Sequence, residues 1–220
     1  MGRRASTAAP PAALLCRVPS PLPAQFAPQP AARTEVCAAE ELAWLADYAE
    51  GRQHGARCLV ERYLPRLHRL AWRLLDDVAE AEDVCQEAFM KLWQQAPRWQ
   101  ARASIGTWLH QVALNAARDR LRKRRLGFDQ STELDELPDS RVDAGPEQLA
   151  SERQARDWLS AAIADLPPRQ REAVLLCHDQ QFSQREAAAI MQIEIGALES
   201  LLSRARQQLR LAAEKREVSP

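Results

Sequence analysis

Only 18 of the 220 residues are Val, Ile or Thr, whereas Ala, Leu and Arg together fill 94 positions. Strands use β-branched side chains to cover a pleated surface, and helices favour Ala and straight-chain residues that lose little freedom there. With only seven Gly, a β-sandwich, a β-barrel or a glycine-dependent dinucleotide-binding sheet is unsupported. The chain is therefore predicted to be all-α: two small helical domains joined by a flexible acidic linker, the second containing a helix-turn-helix. No stretch approaches the run of about eighteen uncharged apolar residues that a spanning helix needs, so no membrane insertion is expected.

Periodicity and helix breakers set the boundaries. Residues 1–36 hold seven of the fourteen Pro and are expected to form a disordered Pro/Ala-rich tail. Their short AALLC run is too brief for a secretory signal, and a translation start further downstream would also account for them. Helices are predicted over about 38–50, 56–76 and 79–95, with Gly51 and Gly55 bracketing a break and Pro65 kinking the second helix or starting its second part. A fourth helix opens at Ser104 or Thr107 and runs to 125, completing a first domain over 37–126. Residues 127–146 lack helical periodicity and read as the linker. The second domain, 147–214, contains a helix over 147–164, a Pro167-Pro168 turn and a helix to about His178. Ser183 and Glu186 then form a capping box for a short helix ending near Met191. After a turn at Gln192–Ile195 the last helix runs from Gly196 to Ala213, with Ile195, Leu198, Leu202, Ala205 and Leu209 as its buried stripe.

The formal net charge is zero, but the charges are segregated. Residues 76–87 carry six acids and no base, residues 118–125 six bases and one acid, residues 129–147 seven acids against Arg141, and residues 204–216 five bases against Glu214. Two basic blocks with an acidic spacer call for a partner of each sign. Opposite its apolar stripe the last helix shows Ala197, Glu199, Ser200, Ser203, Arg204, Gln207 and Arg210. These are residue types that meet base edges and phosphates in a helix-turn-helix, Glu199 being able to accept from a cytosine amino group. The same face would also suit a solvated helix in a bundle. Arg118, Arg120, Arg122, Arg124 and Arg125, preceded by Trp99, Ser104, Thr107, Trp108 and Asn115, combine cations and aromatics as single-strand binding does. A packed Trp108 and arginines that favour a helix C-terminus are the plainer reading. Asp83, Gln86, Glu87 and Lys91 lie on the acidic helix, either as a solvated face or as a protein interface.

Five Cys without a CxxC pair and four scattered His offer no metal-ligand spacing. No phosphate-loop, dinucleotide or nucleophile-elbow motif is present. No catalytic residue, metal or cofactor is therefore assigned, and an enzyme is the weakest class.

The segment AEDVCQEAFMKLWQQAPRWQARASIGTWLHQVALNAARDRLRKRR (81–125), followed by LPPRQREAVLLCHDQQFSQREAAAIM and GALESLLSRARQQL within 166–209, resembles the extracytoplasmic-function sigma factors of bacterial RNA polymerase, in the sigma-70 family. The resemblance covers about 55–214. It implies that Asp83, Gln86, Glu87, Phe89 and Trp93 dock on the polymerase β′ subunit. Residues 37–126 would form sigma region 2, with Ser104, Thr107, Trp108, Asn115, Arg118, Arg120 and Arg122 at the −10 promoter element. Residues 147–214 would form region 4, with Ser183, Gln184, Arg185, Glu199, Ser200, Ser203, Arg204 and Arg206 at the −35 element. It further implies core polymerase (β′ and β), promoter DNA and an anti-sigma factor as partners, and a cytoplasmic location.

Three positions depart from the family pattern. Ile105 stands where an aromatic is common. Gln192 stands where the turn usually has Gly, implying a turn geometry that tolerates a side chain. GALESLL replaces GTVKSRL, so Glu199 and Leu201 stand at two positive positions. A stand-alone helix-turn-helix regulator would leave the acidic helix and the Arg/Trp block unused. A sigma mimic that binds a regulatory partner without initiating would fit Glu199 and Leu201.

Overall fold

The computed structural model describes residues 38–100, 103–127 and 157–218. The tail, Cys16, Cys37, the linker beyond Gly127 and the first part of the helix expected over 147–164 lie outside the described residues. The regular elements described are all helical: α1 (Ala38–Ala49), α2 (Gln53–Leu75), α3 (Val78–Gln95) and a single 3-10 turn (Ala96–Arg98), then α4 (Ile105–Arg125). The rest of the chain supplies α5 (157–164), α6 (Pro168–Val174), a π-helical turn (Leu175–Asp179), α7 (Gln184–Met191) and α8 (Ile195–Val218). None of the described helices is long and apolar enough to cross a membrane. The described residues divide into two compact units, with the boundary between 117 and 118. This boundary falls inside α4.

In the first unit, Leu59, Leu67 and Leu70 of α2, Val84, Phe89 and Leu92 of α3, and Leu109 and Leu114 of α4 are buried in the core. Burying one such side chain contributes roughly 1.5–3 kcal/mol. Of the two glycines expected to bracket a break, Gly51 makes it, at φ 85°. Gly55 lies inside α2 and serves a close approach instead: a Cβ there would sit 2.0 Å from the Trp44 carbonyl oxygen. Helix α2 is assigned as one element through Pro65. Proline leaves one carbonyl of the preceding turn without its amide donor, while Tyr63 and Leu67 on either side are buried and hold the segment.

A buried carboxylate joins α1 to α2. Glu41 is 6% exposed, and one of its oxygens accepts from Tyr63 Oη at 2.6 Å and from Arg62 Nε at 2.8 Å. Burial, then the bond to Glu41, pushes the Tyr63 phenol well up. The Tyr63 ring lies over Gly106 in the first turn of α4, where a Cβ would come within 2.9 Å of its Cε1. Asp77 caps α3 by accepting from the Glu80 amide at 2.9 Å, and Ser104 caps α4 by accepting from the Thr107 amide at 3.0 Å, satisfying donors that a helix start leaves open.

In the second unit, Val174, Leu175, Leu176, Ile190, Met191, Leu198 and Leu202 form the core. Ala205 shares the buried stripe of α8, but Ile195 is 44% exposed and Leu209 only half-buried. The stripe is therefore shorter than expected, because Ile195 stands in the first position of α8, beside the turn.

Gly55→Ala should destabilise the first unit by about 1–3 kcal/mol, since overpacking against backbone outweighs the better helix propensity of Ala; thermal unfolding of the variant checks this. A second expectation concerns pH. Burial holds the half-buried His68 ring below its ordinary 6.5, with Glu82 partly opposing. The unfolded chain therefore binds this proton at higher pH than the fold does, and His68 withdraws stability as pH falls below 6.5. His68→Leu should show a smaller loss between about pH 7 and 5 in chemical denaturation; an unchanged pH slope would contradict it.

Candidate nucleic-acid and partner interfaces

Helix α3 separates its residues by polarity. Ala81, Val84, Cys85, Ala88, Phe89, Leu92 and Trp93 are buried, which turns Asp83, Gln86 and Met90 outward and leaves Glu82 and Glu87 half-buried. Burial raises the Cys85 thiol to about 12. Glu87 carries Lys91 at 2.7 Å. Of the residues expected to dock, two lie inward. Phe89 is fully buried and Trp93 nearly so, stacked at 5.8 Å on each other with Tyr48 4.4 Å from Trp93. They hold the helix in place; Asp83, Gln86 and Glu87 form the accessible part of the set.

The residues expected at the opened strand divide in a similar way. Ser104 is exposed but occupied as the α4 cap, and its hydroxyl lies 2.8 Å from that of Thr107, which is buried. Thr107 is thus part of the cap rather than a surface contact. Trp108 is half-buried, edge-on to Trp99 at 5.7 Å, and Asn115 lies half-buried beyond them. Ile105, at the position where an aromatic is common, is buried. Arg118 belongs to the second unit, where Nε and Nη2 reach the two oxygens of Glu172 at 2.9 and 2.7 Å. Such a bidentate pair around a buried carboxylate holds the arginine away from other anions. Arg120 is half-buried, while Arg122 is exposed with Asp119 at 3.0 Å. Lys123, Arg124 and Arg125 complete an exposed basic end.

The α7–α8 pair has helix-turn-helix geometry. Ser183 Oγ accepts from the Glu186 amide at 3.3 Å and Glu186 Oε2 accepts from the Ser183 amide at 2.9 Å, the reciprocal capping box. Gln184 and Arg185 follow, exposed. Helix α7 ends with Gln192 at φ 57°, ψ 47°. The Ile193 amide donates to Ala188 O at 3.0 Å and the Gln192 amide to Ala189 O at 3.2 Å, a Schellman ending. The side chain at 192 has therefore not altered the turn. Gln takes the left-handed conformation glycine would take, at a steric cost on the order of 1–2 kcal/mol. On α8, Ala197, Glu199, Ser200, Ser203, Arg204, Arg206, Gln207 and Arg210 are all exposed. Ser200 donates its hydroxyl hydrogen to Gly196 O at 2.9 Å. Ser203, Arg206, Gln207 and Arg210 line a groove of about 370 Å³.

Three features have no marker in the sequence. Glu41, Arg62 and Tyr63 meet across about twenty residues of chain, and Arg118 and Glu172 across more than fifty, which periodicity does not reach. The π-turn at Leu175–Asp179, closed by the Gln180 amide on Leu175 O at 2.9 Å, follows no residue pattern. It carries Cys177, whose thiol burial pushes up and Arg206 partly restores. Among the described residues no group of three or more His, Cys, Asp or Glu is placed to hold a metal.

Comparison with known proteins matches residues 59–126 to the family model for sigma-70 region 2 and residues 156–209 to that for sigma-70 region 4. The chain is 34% identical over 154 residues to the ECF RNA polymerase sigma factor SigE of Mycolicibacterium smegmatis, covering 69% of this chain and 59% of that one. It is 32% identical over 164 residues to the ECF sigma factor SigC of Mycobacterium tuberculosis, covering 70% and 83%. Among solved structures, the sigma factor RpoE of Bartonella quintana, in complex with the anti-sigma factor NepR, superposes with a TM-score of 0.55 at 26% identity, covering 74% of this chain and 98% of that one.

The left-handed turn gives a direct expectation. Gln192→Gly should stabilise the second unit by about 0.5–1 kcal/mol, the relieved strain less the added chain entropy of Gly. Thermal or urea unfolding checks it, and equal or lower stability would show that the Gln side chain is held by something beyond the turn.

Proposed function

Because the chain belongs to the extracytoplasmic-function sigma factors of the sigma-70 family, which direct RNA polymerase to promoters, we propose that it uses three separate surfaces to do so. The acidic face of α3, with Asp83, Gln86 and Glu87, contacts the polymerase β′ subunit. The α4 segment, from Trp108 and Asn115 to the exposed bases Arg122–Arg125, contacts the −10 element and its opened strand. The α7–α8 pair, with Gln184, Arg185, Glu199, Ser203, Arg204 and Arg206, reads the −35 element, and this unit also meets the β subunit.

The observation that carries this reading is the two-sidedness of α3. Seven inward residues place an acidic surface outward on a chain whose α4 end and α8 are basic. An acidic surface is repelled by DNA and suits a protein partner with basic residues, while exposed arginines on helices suit phosphate. One chain then touches polymerase and promoter without either charge interfering with the other. The protein works in the cytoplasm beside the polymerase and performs no chemistry of its own, since strand separation needs binding energy and not a nucleophile. An anti-sigma factor holds it inactive by covering these same surfaces; the similar RpoE is itself found in complex with an anti-sigma factor, NepR.

Asp83→Arg combined with Glu87→Arg tests the central contact. Binding to core polymerase should weaken at least tenfold (about 1.4 kcal/mol), with helix content retained, since Asp83 is exposed and Glu87 half-buried outside the apolar stripe. Retained affinity in a pull-down or fluorescence titration would remove the α3 surface from the interface.

A further inference from the structure

The first turns of α8 present an unusual hydrogen-bonding inventory. Ala197 has no polar group, and the Ser200 hydroxyl hydrogen is committed to the Gly196 carbonyl at 2.9 Å. Glu199 is exposed, and no described residue bonds to its carboxylate. Glu199, Ser203, Arg206 and Arg210 follow at spacings of four, three and four, so they lie along one strip of the helix. The last three of these, with Gln207, line the groove of about 370 Å³. The strip thus has cations toward its C-terminal part and a single acceptor at the N-terminal end, where a recognition helix meets base edges.

We propose that Glu199 is a base-selecting residue that requires a cytosine in the −35 element and rejects guanine at that position. This rests on the reading of α8 as the −35 helix. An ionised carboxylate only accepts hydrogen bonds. In the major groove guanine shows the acceptors N7 and O6, thymine shows the acceptor O4, and adenine sets the acceptor N7 beside its amino group. Cytosine alone presents the donor N4 without an acceptor of its own next to it. A carboxylate aimed at a phosphate would be repelled, whereas one aimed at cytosine N4 gains a charge-assisted bond, and Arg206 and Arg210 further along the strip supply the phosphate contacts that keep the helix seated. The cost is overall affinity, since the negative charge weakens attachment to DNA of any sequence. Glu199 therefore trades general attraction for discrimination.

The experiment uses holoenzyme assembled from the full chain and core polymerase. It selects from a library of one promoter, found by mapping transcription starts, whose −35 element is randomised, and the retained DNA is sequenced. The unaltered protein should enrich cytosine over guanine about tenfold at one position, the scale of one good base contact. Glu199→Gln should shift that position to adenine, because an amide both accepts from N6 and donates to N7. Glu199→Ala should lose the preference at that position alone while binding random DNA more tightly. The same preferences in all three proteins would overturn the proposal, as would a loss spread over every −35 position, which would mean that Glu199 shapes the helix. If the unaltered protein shows no −35 preference at all, α8 is not the −35 reader, and the proposal falls together with that reading.

Discussion

Helix α3 has one arrangement open to it, and the rest of the first unit follows from that. Its seven apolar positions recur at spacings of three and four, and turning the helix by half a turn would bury Asp83, Gln86 and Glu82 while exposing Phe89, Leu92 and Trp93. Burial of an unpaired carboxylate costs far more than one aromatic contributes, so the orientation is fixed by sign and not by fine packing. Helix α2 then lies against α3 with Leu67 and Leu70 buried. Tyr63, anchored by the buried Glu41, supports the start of α4 at Gly106. The acidic face of α3 and the entry into α4 are both consequences of the same core.

A chain with zero net charge gains no general attraction to DNA, and here the local distribution replaces it. On the proposed reading, the exposed arginines at the end of α4 and along α8 give attachment that depends on salt. Acidic residues face outward from α3, where phosphate is not wanted. Within the second unit, Arg118 is drawn into a bidentate pair with a buried Glu172, so the basic run is not uniformly available. Position along the run decides which arginine meets an anion from outside.

The sequence made the helices legible because apolar residues recur at helical spacing, and it made the capping box legible because Ser183 and Glu186 bond within three residues. It also placed the two sigma-70 regions in order, through segments whose pattern resembles a known family. What it hid depended on distance or depth. Phe89 and Trp93 share a helix with Asp83 and Glu87, and residue type alone did not say that the aromatics face inward. Gly55 looked like a breaker until the closeness of Trp44 showed why no larger residue fits. Gln192 implied a turn that tolerates a side chain, and three backbone hydrogen bonds around Ala188 and Ala189 hold the left-handed geometry with Gln in place. The pairing of Arg118 with Glu172 and the π-turn at Leu175–Asp179 arise from tertiary packing, which has no local pattern to read.

The most direct test of the account is transcription in vitro with purified core polymerase, this protein and fragmented genomic DNA of the source organism, with the 5′ ends of the products mapped. The account predicts discrete start sites that appear only when the protein is added, preceded by two shared elements at the −10 and −35 spacings. Folded protein and active core polymerase that together yield no protein-dependent starts would contradict it.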